Sequence, residues 1–245
     1  MGNIIVIGLG GIGKWLIDPL CLRLAHLQSQ DKNPFGKVVL VDAGEYKSRK
    51  RIRQKFHREG NKVEVEFERL VQEFPTLEFE QIPFYVKGDL DKPSDAMSDR
   101  VINVSELIHD DDWVILCVDN PTTRNRVDVH CSTLRTVKLF NGGNNLTNGA
   151  SMLYIRRGGR DITPPLRELF PDTIGNPKSK APYEMSCEEL EAVGGGQIIR
   201  ANLFAATLLY HLIDAEIERE RIPGEVIYFD SEKMAVRSVS FKAKK

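Results

Sequence analysis

Three groups of residues have types and spacings that could do chemistry. Gly8-Leu9-Gly10-Gly11-Ile12-Gly13 follows an apolar run and opens a helical pattern. Glycines at these steps permit a tight turn and let phosphate oxygens reach backbone N–H groups at the positive end of a helix. Asp42 ends a second apolar run, Val38-Val39-Leu40-Val41, where a carboxylate can accept hydrogen bonds from a ribose diol. A polar set completes the pattern: Arg51, Arg53 and Gln54 in a cationic run, Lys62 soon after Gly60, and Asp119-Asn120-Pro121 at the end of a third apolar run, with Arg124 one helical turn further on.

The glycine turn and Asp42 specify a nucleotide without a reaction, because ATP and NAD carry the same diol. Arg, Gln and Lys converging on a phosphate chain suit a reaction in which charge builds up as pyrophosphate leaves, and hydride transfer has little need of them. Asp119 is suited to holding magnesium beside those phosphates. Taken singly, Arg51, Arg53 and Lys62 read as a solvated basic face, and Asp119-Asn120-Pro121 reads as a helix cap.

The elements that must position these residues alternate. The periodicity predicts a strand over 3–8, a helix over 12–28, a strand over 38–41, a helix over 62–73, and strands over 77–86 and 113–118. A helix over 121–136, strands over 137–140 and 148–156, a helix over 195–218 and a hairpin of 225–230 with 234–241 complete the chain. The polar stretch 47–58 reads as a loop with short helical turns, and 158–184, rich in Pro, Gly and charge, as a long, mobile surface crossover. Alternation of this kind implies an α/β, Rossmann-like fold with a largely parallel sheet flanked by helices, and the final strands add a mixed C-terminal extension. One domain over 1–245 is expected, with a nucleotide-binding half at 1–140 and a C-terminal half at 141–245.

With 34 basic and 35 acidic residues, the chain offers no general electrostatic attraction for nucleic acid or membrane. Its first apolar run is far too short to span a bilayer, so a cytoplasmic protein is expected. Cys21, Cys117, Cys131 and Cys187 lie far apart with no Cys-x-x-Cys pair, which suggests neither a disulfide framework nor a zinc site. Cys21, Cys117 and Cys131 read as core. The five histidines show no metal-binding or triad spacing.

In order, a strand into GxGGxG, an Asp after the second strand, the Arg53-Gln54 pair, Gly60 with Lys62, and Asp119-Asn120 with Arg124 resemble the ThiF/MoeB/ubiquitin-activating adenylyltransferases. Asn141-Gly142-Gly143 after a strand, Ser186-Cys187-Glu188, Gly194-Gly195-Gly196-Gln197 and Ala201-Asn202 look like that family's C-terminal half, so the likeness covers nearly the whole chain. The resemblance implies that Gly8, Gly10, Gly11 and Gly13 cradle ATP, that Asp42 binds ribose, and that Arg53, Gln54, Lys62, Asn120 and Arg124 belong to the ATP site. It further implies that Asp119 positions Mg2+ for attack of a carboxylate on the α-phosphate.

The implied substrate is the C-terminal Gly-Gly of a ubiquitin-like or sulfur-carrier protein, activated by a homodimer. A Rossmann-type NAD-dependent oxidoreductase and a catalytically silent nucleotide-binding scaffold subunit are the competing readings. The sequence departs from the family where the Asn that usually precedes Arg-Gln is replaced within Lys50-Arg51-Ile52 and where the segment from Gln54 to Lys62 is short. A helix that supplies an arginine to the neighbouring subunit's site in many members is also expected to be absent. Cys187, beyond the crossover and close to a helix start that lowers its pKa, could take an acyl group from the adenylate; a small buried packing residue is the plainer role.

Overall fold

The computed structural model describes residues 1–48, 55–185, 198–218 and 225–240. Arg51, Arg53, Gln54 and Cys187 lie outside the described residues.

The strand β1 (Ile4–Ile7) is buried at every position. It runs through the middle of the main sheet with a helical layer on each face, which is why it reads as an unbroken apolar run. Ile4 and Val6 point into one core, Ile5 and Ile7 into the other. The chain then forms α1 (Gly11–Ser29), β2 (Val38–Val41), β3 (Glu45–Tyr46), β4 (Gly60–Asn61), α2 (Lys62–Glu73) and β5 (Phe79–Ile82). Next come β6 (Tyr85–Lys87), β7 (Val101–Asn103), α3 (Val104–Leu107), β8 (Trp113–Leu116), α4 (Pro121–Cys131), β9 (Val137–Asn144), β10 (Asn148–Arg157) and β11 (Arg160–Asp161). After α5 (Leu166–Leu169), the helix α6 (Ile199–Glu218) and the hairpin of β12 (Val226–Asp230) with β13 (Ala235–Val239) follow.

The main sheet has the order β13-β12-β10-β9-β8-β1-β2-β5, with β11 folded back on β10. From β9 to β5 every pairing is parallel, and from β9 to β13 every pairing is antiparallel. The expected α/β sheet with a mixed C-terminal extension is therefore what the chain builds. Helices α1, α2 and α6 fill one face through Leu16, Leu20, Leu70 and Leu209, while α3, α4 and α5 fill the other through Leu107, Val127 and Leu166.

Four expectations need correction. The strand expected over 77–86 is two: Pro83, which has no N–H to give a ladder, separates β5 in the main sheet from β6, which pairs with β7 elsewhere. The helix expected over 121–136 stops at Cys131, where the Ser132 and Thr133 hydroxyls donate to the carbonyls of Asp128 and His130 at 2.8 Å each. Strand β9 runs on to Asn144, so Asn141-Gly142-Gly143 lies within it, and a division between residues 140 and 141 falls inside a strand.

The fourth concerns 158–184, which is packed down. Leu166, Ile174, Ala181 and Tyr183 are buried, and the buried Asp128 carboxylate accepts the Leu166 N–H at 2.7 Å. These apolar residues follow no helical or strand period, so nothing in their spacing announces a core.

Candidate functional site

The connection from β1 to β2 passes over one face of the sheet and that from β8 to β9 over the other. The strand order therefore reverses between β1 and β8, and the crevice beyond their C-terminal ends is where open α/β sheets bind ligands.

Gly8 ends β1 with φ +97°, and a β-carbon there would press on the Cys117 carbonyl group at 2.9–3.0 Å. Gly13 is the third residue of α1, and its β-carbon would fall 1.9 Å from the Gly8 oxygen. Both positions are thus reserved for glycine by the closeness of turn, helix and β8. No side chain caps α1 at Gly10, which leaves the N–H groups of its first turn for an anion.

Asp42, directly after β2, holds this turn. Its carboxylate accepts the Leu9 N–H at 2.7 Å, the Gly44 N–H at 2.7 Å and the Lys62 ammonium at 2.9 Å. Burial pushes the Asp42 pKa up, but the Lys62 charge and hydrogen bond, with the two N–H groups, outweigh it and leave the carboxyl below its ordinary value. A carboxylate has about four acceptor sites, so one remains for a further donor. Lys62 reaches Asp42 because Asn61 caps α2, accepting from the Val63 and Glu64 N–H groups, while the Lys62 N–H donates to the Gly44 carbonyl at 3.0 Å.

The polar loop after β2 has its stem here as well. Strands β3 and β4 pair antiparallel, and Tyr46 stacks on Phe56 at 4.7 Å. In the sequence, Arg53 and Gln54 fall between β3 and β4.

The third strand end presents Asp119, exposed to solvent. Arg124 beside it donates to the Val118 carbonyl at 3.0 and 2.6 Å and to the Gly142 carbonyl at 3.2 Å, tying the end of β8 to β9. Burial lowers its pKa, and the Asp119 charge partly offsets this. Asn120 is held by two hydrogen bonds within the chain. Its side chain caps α4 through the Thr123 N–H at 3.0 Å and donates to the Lys180 carbonyl at 2.7 Å, so it docks the 158–184 segment.

Lys14, Tyr46, Glu66 and Arg69, not singled out in the sequence, also meet at this turn, as does Asn202, noted there only within the C-terminal likeness. Glu66, fully buried, accepts from Lys14 at 2.7 Å, from Tyr46 at 3.0 Å and from Arg69 at 2.8 and 3.0 Å. The Tyr46 hydroxyl also lies 3.2 Å from the Leu9 carbonyl. Two signals point to this network: Lys14 directly follows the last glycine, and Glu66 stands one turn from Lys62 on α2. From the C-terminal half, Asn202 of α6 packs against Gly11; it is a polar residue within the apolar stripe of Ala205 and Leu209. Cys21, Cys117 and Cys131 are buried, as the sequence suggests. Burial pushes the Cys117 thiol up to about 12.

A glycine turn at the switch point of a doubly wound sheet, with an acidic residue after the second strand, defines a Rossmann-type nucleotide-binding protein. A sequence model of the ThiF family matches residues 2–245, and the chain belongs to that family. No curated protein matches it significantly.

Similar solved structures include Escherichia coli MccB with MccA-N7isoASN, at 16% identity and TM-score 0.69 over 99% of this chain and 65% of that one. MccB with ATP matches at 16% and 0.67 over 99% and 65%, and PaaA at 15% and 0.62 over 97% and 63%. These likenesses define the fold. The chain spans less than two thirds of the length of these structures.

Proposed function

We propose that the protein activates a carboxylate with ATP, forming an acyl-adenylate and releasing pyrophosphate. The observation that carries the reading is the junction of Lys62, Asp42 and the Leu9 N–H, which sets a cation and a carboxylate directly on the glycine turn. The first-turn N–H groups of α1 hold phosphate oxygens, and Asp42 uses its remaining acceptor site for a ribose hydroxyl. Lys62, with Arg53 and Gln54 from the adjoining loop, balances the charge that grows as the α–β phosphate bond breaks.

Among the described residues, no cluster of three or more His, Cys, Asp or Glu could hold a metal. Mg2+ commonly takes one or two carboxylates and completes its shell with phosphates and water. Asp119, exposed at the end of β8, fits that mode and would hold the ion; bound there, Mg2+ supplies electrostatic stabilisation of the phosphates. The substrate carboxylate enters beside Asp119 and attacks the α-phosphorus. In this reading it belongs to the C-terminal Gly-Gly of a small ubiquitin-like or sulfur-carrier protein, and the enzyme is a cytoplasmic homodimer. The MccB structures with ATP and with N-formylated MccA support a nucleotide and a second molecule on this fold. No described helix is long and apolar enough to cross a membrane.

The test is ATP–pyrophosphate exchange with a panel of small proteins ending in Gly-Gly. Exchange that needs the carrier, and that Asp119→Ala abolishes without altering the melting temperature, supports the proposal. Undiminished exchange in Asp119→Ala, or binding of NAD in place of ATP, overturns it. Cys187 is assigned the transfer step, its thiolate attacking the adenylate carbonyl as AMP leaves. Full product formation by Cys187→Ala returns it to a packing role.

A further inference from the structure

Three elements meet at the first residue of α1. Asn202, on α6, is fully buried, and its amide fills the space where a β-carbon on Gly11 would lie, with Nδ2 at 2.6 Å and Oδ1 at 2.7 Å from that point. Its Oδ1 accepts from the Asn144 Nδ2, at the end of β9, at 3.0 Å. That is the pair's only mutual bond: the Nδ2 of Asn202 and the Oδ1 of Asn144 are buried without a partner.

An unpaired buried amide is unfavourable for the fold; a leucine has the same branched outline and would remove that penalty, at the cost of a larger side chain packed against Gly11. The unpartnered N–H2 group lies against a helix start that no side chain caps. Its dipole has the same sign as the helix end, so both favour an anion.

We propose that Asn202 is a positioning residue for the nucleotide site: it buttresses Gly11, braced by Asn144, and sets its amide donor behind the N–H groups that receive phosphate. The C-terminal half thus completes a site that otherwise belongs to residues 1–140. This inference rests on the nucleotide reading given above.

The experiment measures Mg-ATP and non-hydrolysable ATP-analogue affinity by calorimetry on the full chain, alongside melting temperature. Asn202→Leu is expected to stay folded with a melting temperature near that of the wild type, the removed amide penalty offsetting the tighter packing, while binding at least tenfold more weakly. Asn144→Leu, which leaves Asn202 in place but unbraced, is expected to lose about threefold. Unchanged affinity in Asn202→Leu with an unchanged melt overturns the inference and leaves the nucleotide site standing. Should Asn202→Leu fail to fold, Asn144→Leu decides: wild-type affinity counts against the inference, and the threefold loss supports it. No Mg-ATP binding by the wild type removes both readings at once.

Discussion

Replacing Glu66 by leucine would test the buried charges under the glycine turn. Glu66 is fully buried and Lys14 is 6% exposed, with 2.7 Å between them. The substitution leaves the Lys14 ammonium without a counter-charge and in the core, and breaking a buried pair from one side costs about 3–5 kcal/mol. Arg69 adds less to the loss, because it keeps Asp18 and Glu73. In a chain of this size each kcal/mol shifts the melting temperature by roughly 2–4 °C, so Glu66→Leu should lower it by roughly 6–20 °C.

The double variant Lys14→Met/Glu66→Leu removes both charges, and with them the desolvation each imposes. It should return to within about 2 kcal/mol of the wild type. Urea unfolding followed by the fluorescence of Trp15 and Trp113 measures the wild type, the single variants Lys14→Met and Glu66→Leu, and the double variant. A loss below about 1 kcal/mol in the single variant would refute the reasoning, since a surface-like pair is worth no more than that. A double variant as unstable as the sum of the two singles would refute it equally.

Gly13→Ala should be destabilising by about 1–3 kcal/mol, because the new β-carbon meets the Gly8 oxygen at 1.9 Å. At an ordinary helix position the same change stabilises by about 1 kcal/mol, so the sign measured in urea checks the geometry. The carboxyl of Asp42 titrates below its ordinary value in the folded chain, so its contribution is present above the unfolded value of about 4 and is lost as pH falls through the depressed one. Unfolding measured across that acid range should steepen in the wild type relative to Asp42→Asn. Asn120→Ala should cost about 1 kcal/mol through the lost cap and speed proteolysis within 176–185; Asn120→Ser, which keeps a cap, should show the faster cleavage alone.

What the sequence makes legible follows from how local each feature is. Helix α2 appears with its expected ends, 62 and 73, because its apolar positions keep one period and Asn61 caps it. β1 and β2 appear where their apolar runs stand, and Lys62 meets Asp42 at the glycine turn as the order of motifs suggests. Asn120 turns toward the crossover because one amide can cap a helix and still donate elsewhere. Its neighbour Lys180 is 60 residues away in sequence, beyond any local pattern.

The glycines at 142 and 143 read as following a strand, whereas they lie inside β9, where a β-carbon at 143 would fall 2.6 Å from the Arg124 guanidinium. Asn202 and Glu66 depend on α6 and α2 closing over α1, an approach that only the assembled core defines.

The most direct measurement is a co-crystal structure with Mg2+ and a non-hydrolysable ATP analogue. The account expects phosphate oxygens within hydrogen-bond distance of the N–H groups of Gly11 or Ile12, Lys62 turned onto the phosphates, and the ribose at Asp42. A nucleotide bound elsewhere, or Lys62 and Arg53 directed into bulk solvent away from it, would contradict the account.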